Sequence, residues 1–155
     1  MGAVTAAAPD GEIAGRVSEA AIRRLVERFY AQARQDTVLG PVFRRALGDG
    51  DAAWAVHLAK LTDFWSAVMR RSGRYHGDPF SAHLHLPDLQ PPMFDRWLTL
   101  FDATCAEVFD PEIAAAFRTR AERIARSLRM GLFERLPRVP AIPPRTATCA
   151  APAAR

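Results

Sequence analysis

Residues 75–86 read Tyr75-His76-Gly77-Asp78-Pro79-Phe80-Ser81-Ala82-His83-Leu84-His85-Leu86 and hold three of the four histidines in the chain. Gly77-Asp78-Pro79 predicts a turn that opens a short helix reaching His83, and Pro87 ends it. The stretch lies between two long segments with apolar residues at helical spacing. On the N-terminal side, Trp54, His57, Leu58, Leu61, Phe64, Trp65 and Val68 make one face of a helix, with Asp51 as its expected N-cap and Gly73 as its expected stop. On the C-terminal side, residues 86–92 form a loop whose Pro91-Pro92 suits the first positions of a second helix carrying Phe94, Trp97, Leu98, Phe101, Cys105 and Val108. Asp110-Pro111 opens a third, with Ile113, Phe117, Ile124, Leu128, Leu132 and Phe133 inward.

Upstream, Ser18 precedes a helix whose apolar face is Ile22, Leu25, Val26, Phe29, Tyr30 and Ala33, with Arg23, Arg24, Glu27, Arg28 and Arg34 on the other side. It is expected to end near Asp36, broken by Gly40-Pro41, and a short helix through Val42, Phe43 and Leu47 follows before the Gly48-Asp49-Gly50 turn. No alternating strand pattern and no glycine-rich phosphate loop occurs, so the fold class is all-α, with four substantial helices and two short ones. Residues 1–16 read as a flexible arm, 17–135 as one helical domain, and 136–155 as a disordered Pro/Ala-rich tail.

The composition, 49% hydrophobic and 25% charged in 155 residues, suits one domain with its own core. The formal charge of +4 is carried almost wholly by arginine, Lys60 being the single lysine. Arginines 118, 120, 123, 126 and 129 recur along the last helix, but at helical spacing they read as a solvated face, interrupted by Glu122, and no nucleic-acid partner is expected. No apolar run is long enough to span a membrane. Two cysteines, Cys105 and Cys149, make no disulfide framework. A cytoplasmic location is expected.

Tyr30, His57, His83 and Trp97 each fall on or beside an inward apolar stripe, and each has a polar atom that needs a partner once buried. Any one of them alone reads as a core residue bonded to a backbone group. Four together suit a buried ligand that is apolar in outline and polar at its centre. Haem has that character: a flat apolar ring that takes an axial nitrogen on iron from one face and leaves the other for a small molecule.

At these residues the chain resembles the truncated haemoglobins, and among them the third group. The resemblance is carried by Phe29-Tyr30, Leu39-Gly40-Pro41-Val42-Phe43, His57-Leu58, Phe64-Trp65-Ser66, Tyr75, Gly77, Pro79, His83-Leu84, Leu86, Phe94, Trp97-Leu98 and Phe101. The intervals between Tyr30, His57, His83 and Trp97 agree with that group, and so does the lack of any Gly-Gly pair. The match runs from about Ser18 to Leu132; the terminal extensions lie outside it.

The resemblance implies a truncated globin fold around haem b. It implies His83 as the proximal iron ligand, with its other ring nitrogen bonded to a backbone carbonyl. It implies Tyr30 and Trp97 as distal hydrogen-bond donors to a small ligand, His57 as a distal gate, and a five-coordinate iron before ligand binds. Phe29, Phe43, Leu61, Phe64 and Trp65 would line the haem, and Lys60, Tyr75 or Arg74 would meet its propionates. The expected partners are dioxygen, nitric oxide or a similar diatomic molecule. Nitric oxide dioxygenation or peroxidase-like turnover is the alternative; the chain has no flavin or nicotinamide motif, so it would need an external reductase.

Overall fold

The computed structural model describes residues 9–134. Seven helices make up the fold: α1 (Asp10–Arg16), α2 (Glu19–Gln35), α3 (Leu39–Leu47), α4 (Asp51–Arg70), α5 (Pro79–Leu84), α6 (Pro91–Val108) and α7 (Pro111–Phe133). No strand occurs among the described residues. The expected all-α class is therefore what the chain adopts.

The starts of these helices follow from local chemistry. Ser18 accepts the Ala21 N–H at the start of α2, and Asp110 accepts that of Ile113 at the start of α7. Asp78 accepts from Phe80 at the start of α5. Proline stands in the first turn of α5, α6 and α7, where its missing N–H costs nothing. Asp51 is the first helical residue of α4 rather than its cap, a position taken by Gly50. Its carboxylate still sits where the helix dipole favours a negative charge.

The inward face of α2 is buried without exception, from Ile22 to Ala33. It packs on α4 and α6, and α6 packs on α7. The centre is an aromatic column in which Phe101 stacks between Trp97 and Trp65, 4.8 Å from each. Phe117 and Phe29 close on it at steeper angles. Apolar burial on this scale is the main term holding such a fold together.

Four further expectations change. The arm expected over residues 1–16 is helical from Asp10 to Arg16. Ile13 of α1 is buried in the core, Asp10 pairs with Arg71 and Arg120, and Arg16 pairs with Asp110 and Glu112. Seven residues are too few to display a periodic face. The helix count therefore rises to four long and three short. Gly40-Pro41 does not sit in the break after α2; both lie in the first turn of α3, where proline is tolerated. Lastly, α4 stops at Arg70 with Arg71 in the left-handed region (φ 55°), ahead of Gly73. The segments 1–8 and 135–155, with Cys149 and the expected tail, lie outside the described residues. Cys105 is buried as a free thiol, as expected of a small core residue.

Candidate functional site

A cavity of about 660 Å³ opens between the helices and is lined mainly by apolar side chains. Tyr30 of α2, Leu39 and Phe43 of α3, His57, Leu61, Phe64 and Trp65 of α4, and Trp97 of α6 supply part of its wall. His83 of α5, Phe94 of α6, and Ile124 and Leu128 of α7 supply another. Lys60, Arg74, Tyr75 and His76 also border it, and Lys60, Arg74 and His76 are exposed.

His83 is fixed by the helix that carries it. Asp78 holds the N-terminus of α5 and also accepts a hydrogen bond from the Ser81 hydroxyl at 2.5 Å. That bond, more than any other cause, holds the Asp78 carboxyl below the usual carboxylate range. Pro79 follows, and its carbonyl lies 2.6 Å from Nδ1 of His83. A carbonyl can only accept, so Nδ1 carries the proton and the lone pair is left on Nε2. The resemblance implied a backbone carbonyl as the partner of this nitrogen, and Pro79 supplies one. The His83 ring also packs beside Phe94, 6.3 Å between centroids. Among the described residues, no three His, Cys, Asp or Glu side chains converge as a metal site. The imidazoles that border the cavity are those of His57, His76 and His83.

Tyr30, His57 and Phe43 form a second cluster. The Tyr30 ring meets His57 at 5.4 Å and Phe43 at 5.5 Å, edge to face in both cases. Tyr30 is 5% exposed, and burial pushes its phenol well above the usual range, the neighbouring Trp97 indole offsetting part of that. It is therefore a neutral O–H donor at any physiological pH. Burial, with smaller contributions from Lys60 and His83, lowers His57 to about 4. His57 is thus neutral, and its Nε2 is buried with no protein partner. An unpartnered buried nitrogen beside an apolar cavity costs stability unless something else occupies the space.

Trp54 stands behind this cluster. Its indole donates to the Gly48 carbonyl at 3.0 Å, and the Arg34 guanidinium lies 4.3 Å over its ring. Tyr75 packs edge-on against Phe64 at 5.1 Å, and burial raises its phenol, with Asp78 adding a smaller push.

The structure thus brings His83, Tyr30, His57, Trp97, Phe43, Lys60, Leu61, Phe64, Trp65, Tyr75 and Arg74 to one cavity. It does not bring Phe29, which is fully buried behind the wall, edge-on to both Tyr30 and Trp97. Successive helix residues differ by about 100° in direction, so Phe29 and Tyr30 cannot both face one cavity squarely. His76, given no role from sequence, borders the cavity, while His85 does not. Leu86 and Leu89 were also missed, since a loop carries no periodic signal, and so was Met93 in the first turn of α6.

No protein-family model matches the chain. It is 34% identical over 118 residues to the group 3 truncated haemoglobin of Campylobacter jejuni, spanning 76% of this chain and 93% of that relative. The crystal structure of the group III truncated haemoglobin from Campylobacter jejuni matches the fold with a TM-score of 0.73, at 34% identity, covering 76% of this chain and 93% of the other. The blocks quoted from the sequence, the helical architecture and these two similarities converge: this chain belongs to the group III truncated haemoglobins.

Proposed function

We propose that the cavity binds haem b, with Nε2 of His83 as its one protein ligand, and that the chain binds dioxygen or another diatomic molecule at a five-coordinate iron. The observation that carries this reading is the pairing of a tautomer-locked imidazole with an unpartnered buried one. Nδ1 of His83 is committed to Pro79 O, and Nε2 of His57 has no protein partner at the same apolar cavity. When bound, haem supplies the open coordination position at which a diatomic molecule is held.

The chain's own groups do the rest. The hydrogen bond to the Pro79 carbonyl orients the His83 ring and fixes its tautomer. Phe43, Leu61, Phe64 and Trp65 exclude water, and the cations Lys60 and Arg74 at the border suit the propionates. The Tyr30 hydroxyl and the Trp97 indole donate toward any negative charge that develops on the outer atom of the ligand. In a site sheltered from water such donors act more strongly than water would. His57, neutral at pH 7, contributes an uncharged ring beside Tyr30 that can yield to an entering ligand without breaking an ion pair.

Turnover is a second reading, as nitric oxide dioxygenation or peroxidase-like chemistry. An oriented imidazole on one side of the cavity and two hydrogen-bond donors on its wall favour it. Electrons would come from a separate reductase. A reducing cytoplasm suits a fold whose described cysteine is an unpaired buried thiol. Among the described residues, no helix is long and apolar enough to cross a membrane.

Absorption spectroscopy tests the proposal. Protein purified or titrated with haemin is expected to show a Soret band, and His83→Ala is expected to lose stable haem. A His83→Ala protein that keeps wild-type haem affinity and spectrum would remove the ligand assignment.

A further inference from the structure

We propose that Asp36 and Arg96 are positioning residues for the ligand-facing wall: their ion pair sets where Tyr30 and Trp97 stand relative to one another. The inference rests on the haem-and-ligand reading above and assigns a determinant of that site lying outside the cavity wall.

Asp36 stands between α2 and α3, its side chain only 4% exposed. One carboxylate oxygen accepts the N–H groups of Val38 and Leu39 at 2.9 and 3.0 Å. The other accepts Nε and Nη2 of Arg96 at 2.9 and 2.6 Å. The backbone carbonyl of Asp36 accepts the Gly40 N–H at 2.9 Å. One residue therefore ties the end of α2 to the start of α3 and to the second turn of α6. Those three helices carry Tyr30, Phe43 and Trp97.

The corner cannot absorb a displacement elsewhere. At Gly40, α3 passes so close to α2 that a Cβ would lie 2.7 Å from the Arg34 carbonyl oxygen. The two helices are thus fixed to each other, and the remaining freedom is that of α6 against the pair. Arg96 ties the second turn of α6 to that pair, and Trp97 is the next residue along, whereas the Arg28–Glu107 pair holds α6 at its far end. Exposed ion pairs contribute little, but this carboxylate is buried and fully bonded, so loss of the arginine leaves a buried charge short of a partner. The Arg96 bond is also the largest cause holding the Asp36 carboxyl below its usual range. Hydrogen bonds weaken steeply with distance and angle, so a small shift of α6 is read directly at the Trp97 indole and at Tyr30.

The test uses the full chain as Arg96→Gln, Arg96→Lys and Asp36→Asn. Arg96 is about half exposed, so its glutamine variant is expected to fold. Asp36→Asn keeps an oxygen for the Val38 and Leu39 caps and loses the charge. In the haem-loaded protein, dioxygen dissociation is expected to quicken on the order of three- to tenfold for Arg96→Gln and Asp36→Asn. The carbon monoxide stretching band is expected to shift or split, and Arg96→Lys, which keeps the charge without the fork, to fall between. In a Tyr30→Phe background the Arg96→Gln effect is expected to be smaller, because only the Trp97 donor is left for a shift of α6 to displace. In the haem-free protein the Trp97 indole N–H resonance is expected to move. Variants with lower thermal midpoints but wild-type dissociation, carbon monoxide band and indole resonance would overturn the inference and leave the haem reading standing. A wild-type chain that takes up no haem would sink the haem reading instead, and the indole resonance would still decide the positioning role.

Discussion

Removing the Tyr30 hydroxyl addresses the chemistry of the pocket most directly. Tyr30 is 5% exposed, keeps its proton because burial raises the phenol, and lies beside the unpartnered His57 ring at 5.4 Å. Tyr30→Phe removes one donor and little volume, so the fold and the haem should survive. A hydrogen bond to a charged or strongly polarised acceptor contributes about 1.5–3 kcal/mol net, and every ~1.4 kcal/mol is tenfold in rate, giving roughly 10- to 150-fold faster release of dioxygen. Trp97 draws the outcome to the lower part of that range. Its indole lines the same cavity and remains as a donor once the phenol oxygen is gone. We therefore expect about a tenfold rise for Tyr30→Phe and a further rise for Tyr30→Phe with Trp97→Phe. Carbon monoxide, which gains less from donors, should change far less. Stopped-flow displacement of dioxygen by carbon monoxide measures both. An unchanged dissociation rate, in a protein with an intact Soret band, would show that the phenol does not reach the ligand.

Two further outcomes follow from the geometry. His57 is lowered from 6.5 to about 4, so between those values the unfolded chain holds a proton that the folded haem-free chain does not; protonation then favours unfolding, and stability falls as pH drops. Allowing for the part of the ring that water reaches, the loss from pH 7 to pH 5 is about 1 kcal/mol, read as a lower urea midpoint, and a His57→Leu variant with the same pH slope would contradict it. Gly40→Ala places a methyl 2.7 Å from a backbone oxygen that cannot swing away, so a strain near the upper end of the ~1–3 kcal/mol overpacking range outweighs the ~1 kcal/mol helix-propensity gain, and a lower thermal midpoint is expected; a stabilised variant would mean that α2 and α3 are not so closely apposed.

Much of the fold was legible because short-range chemistry decides it. Ser18, Asp78-Pro79 and Asp110-Pro111 mark helix starts that depend on a few neighbouring residues, and the structure places helices there. The apolar stripe of α2 is a property of spacing alone, and every residue expected on it is buried. The hydrogen bond from His83 to Pro79 is also local, spanning one helical turn.

What stayed hidden depends on contacts between distant segments. α1 is too short to show a face, and its place is set by Ile13 reaching the core and by ion pairs to residues as far off as Arg120. Whether Phe29 or Tyr30 faces the cavity depends on how far α2 is rotated against α6, which periodicity does not resolve. His76 reaches the cavity border through a loop with no repeating pattern. The Asp36–Arg96 pair joins positions 60 residues apart. The four long helices, the caps at Ser18, Asp78 and Asp110 and the apolar stripes could be read without the fold, because spacing and capping act over one or two turns. Only the tertiary structure decided which polar tips share a cavity and what holds them there, because that depends on the angles at which the packed helices meet.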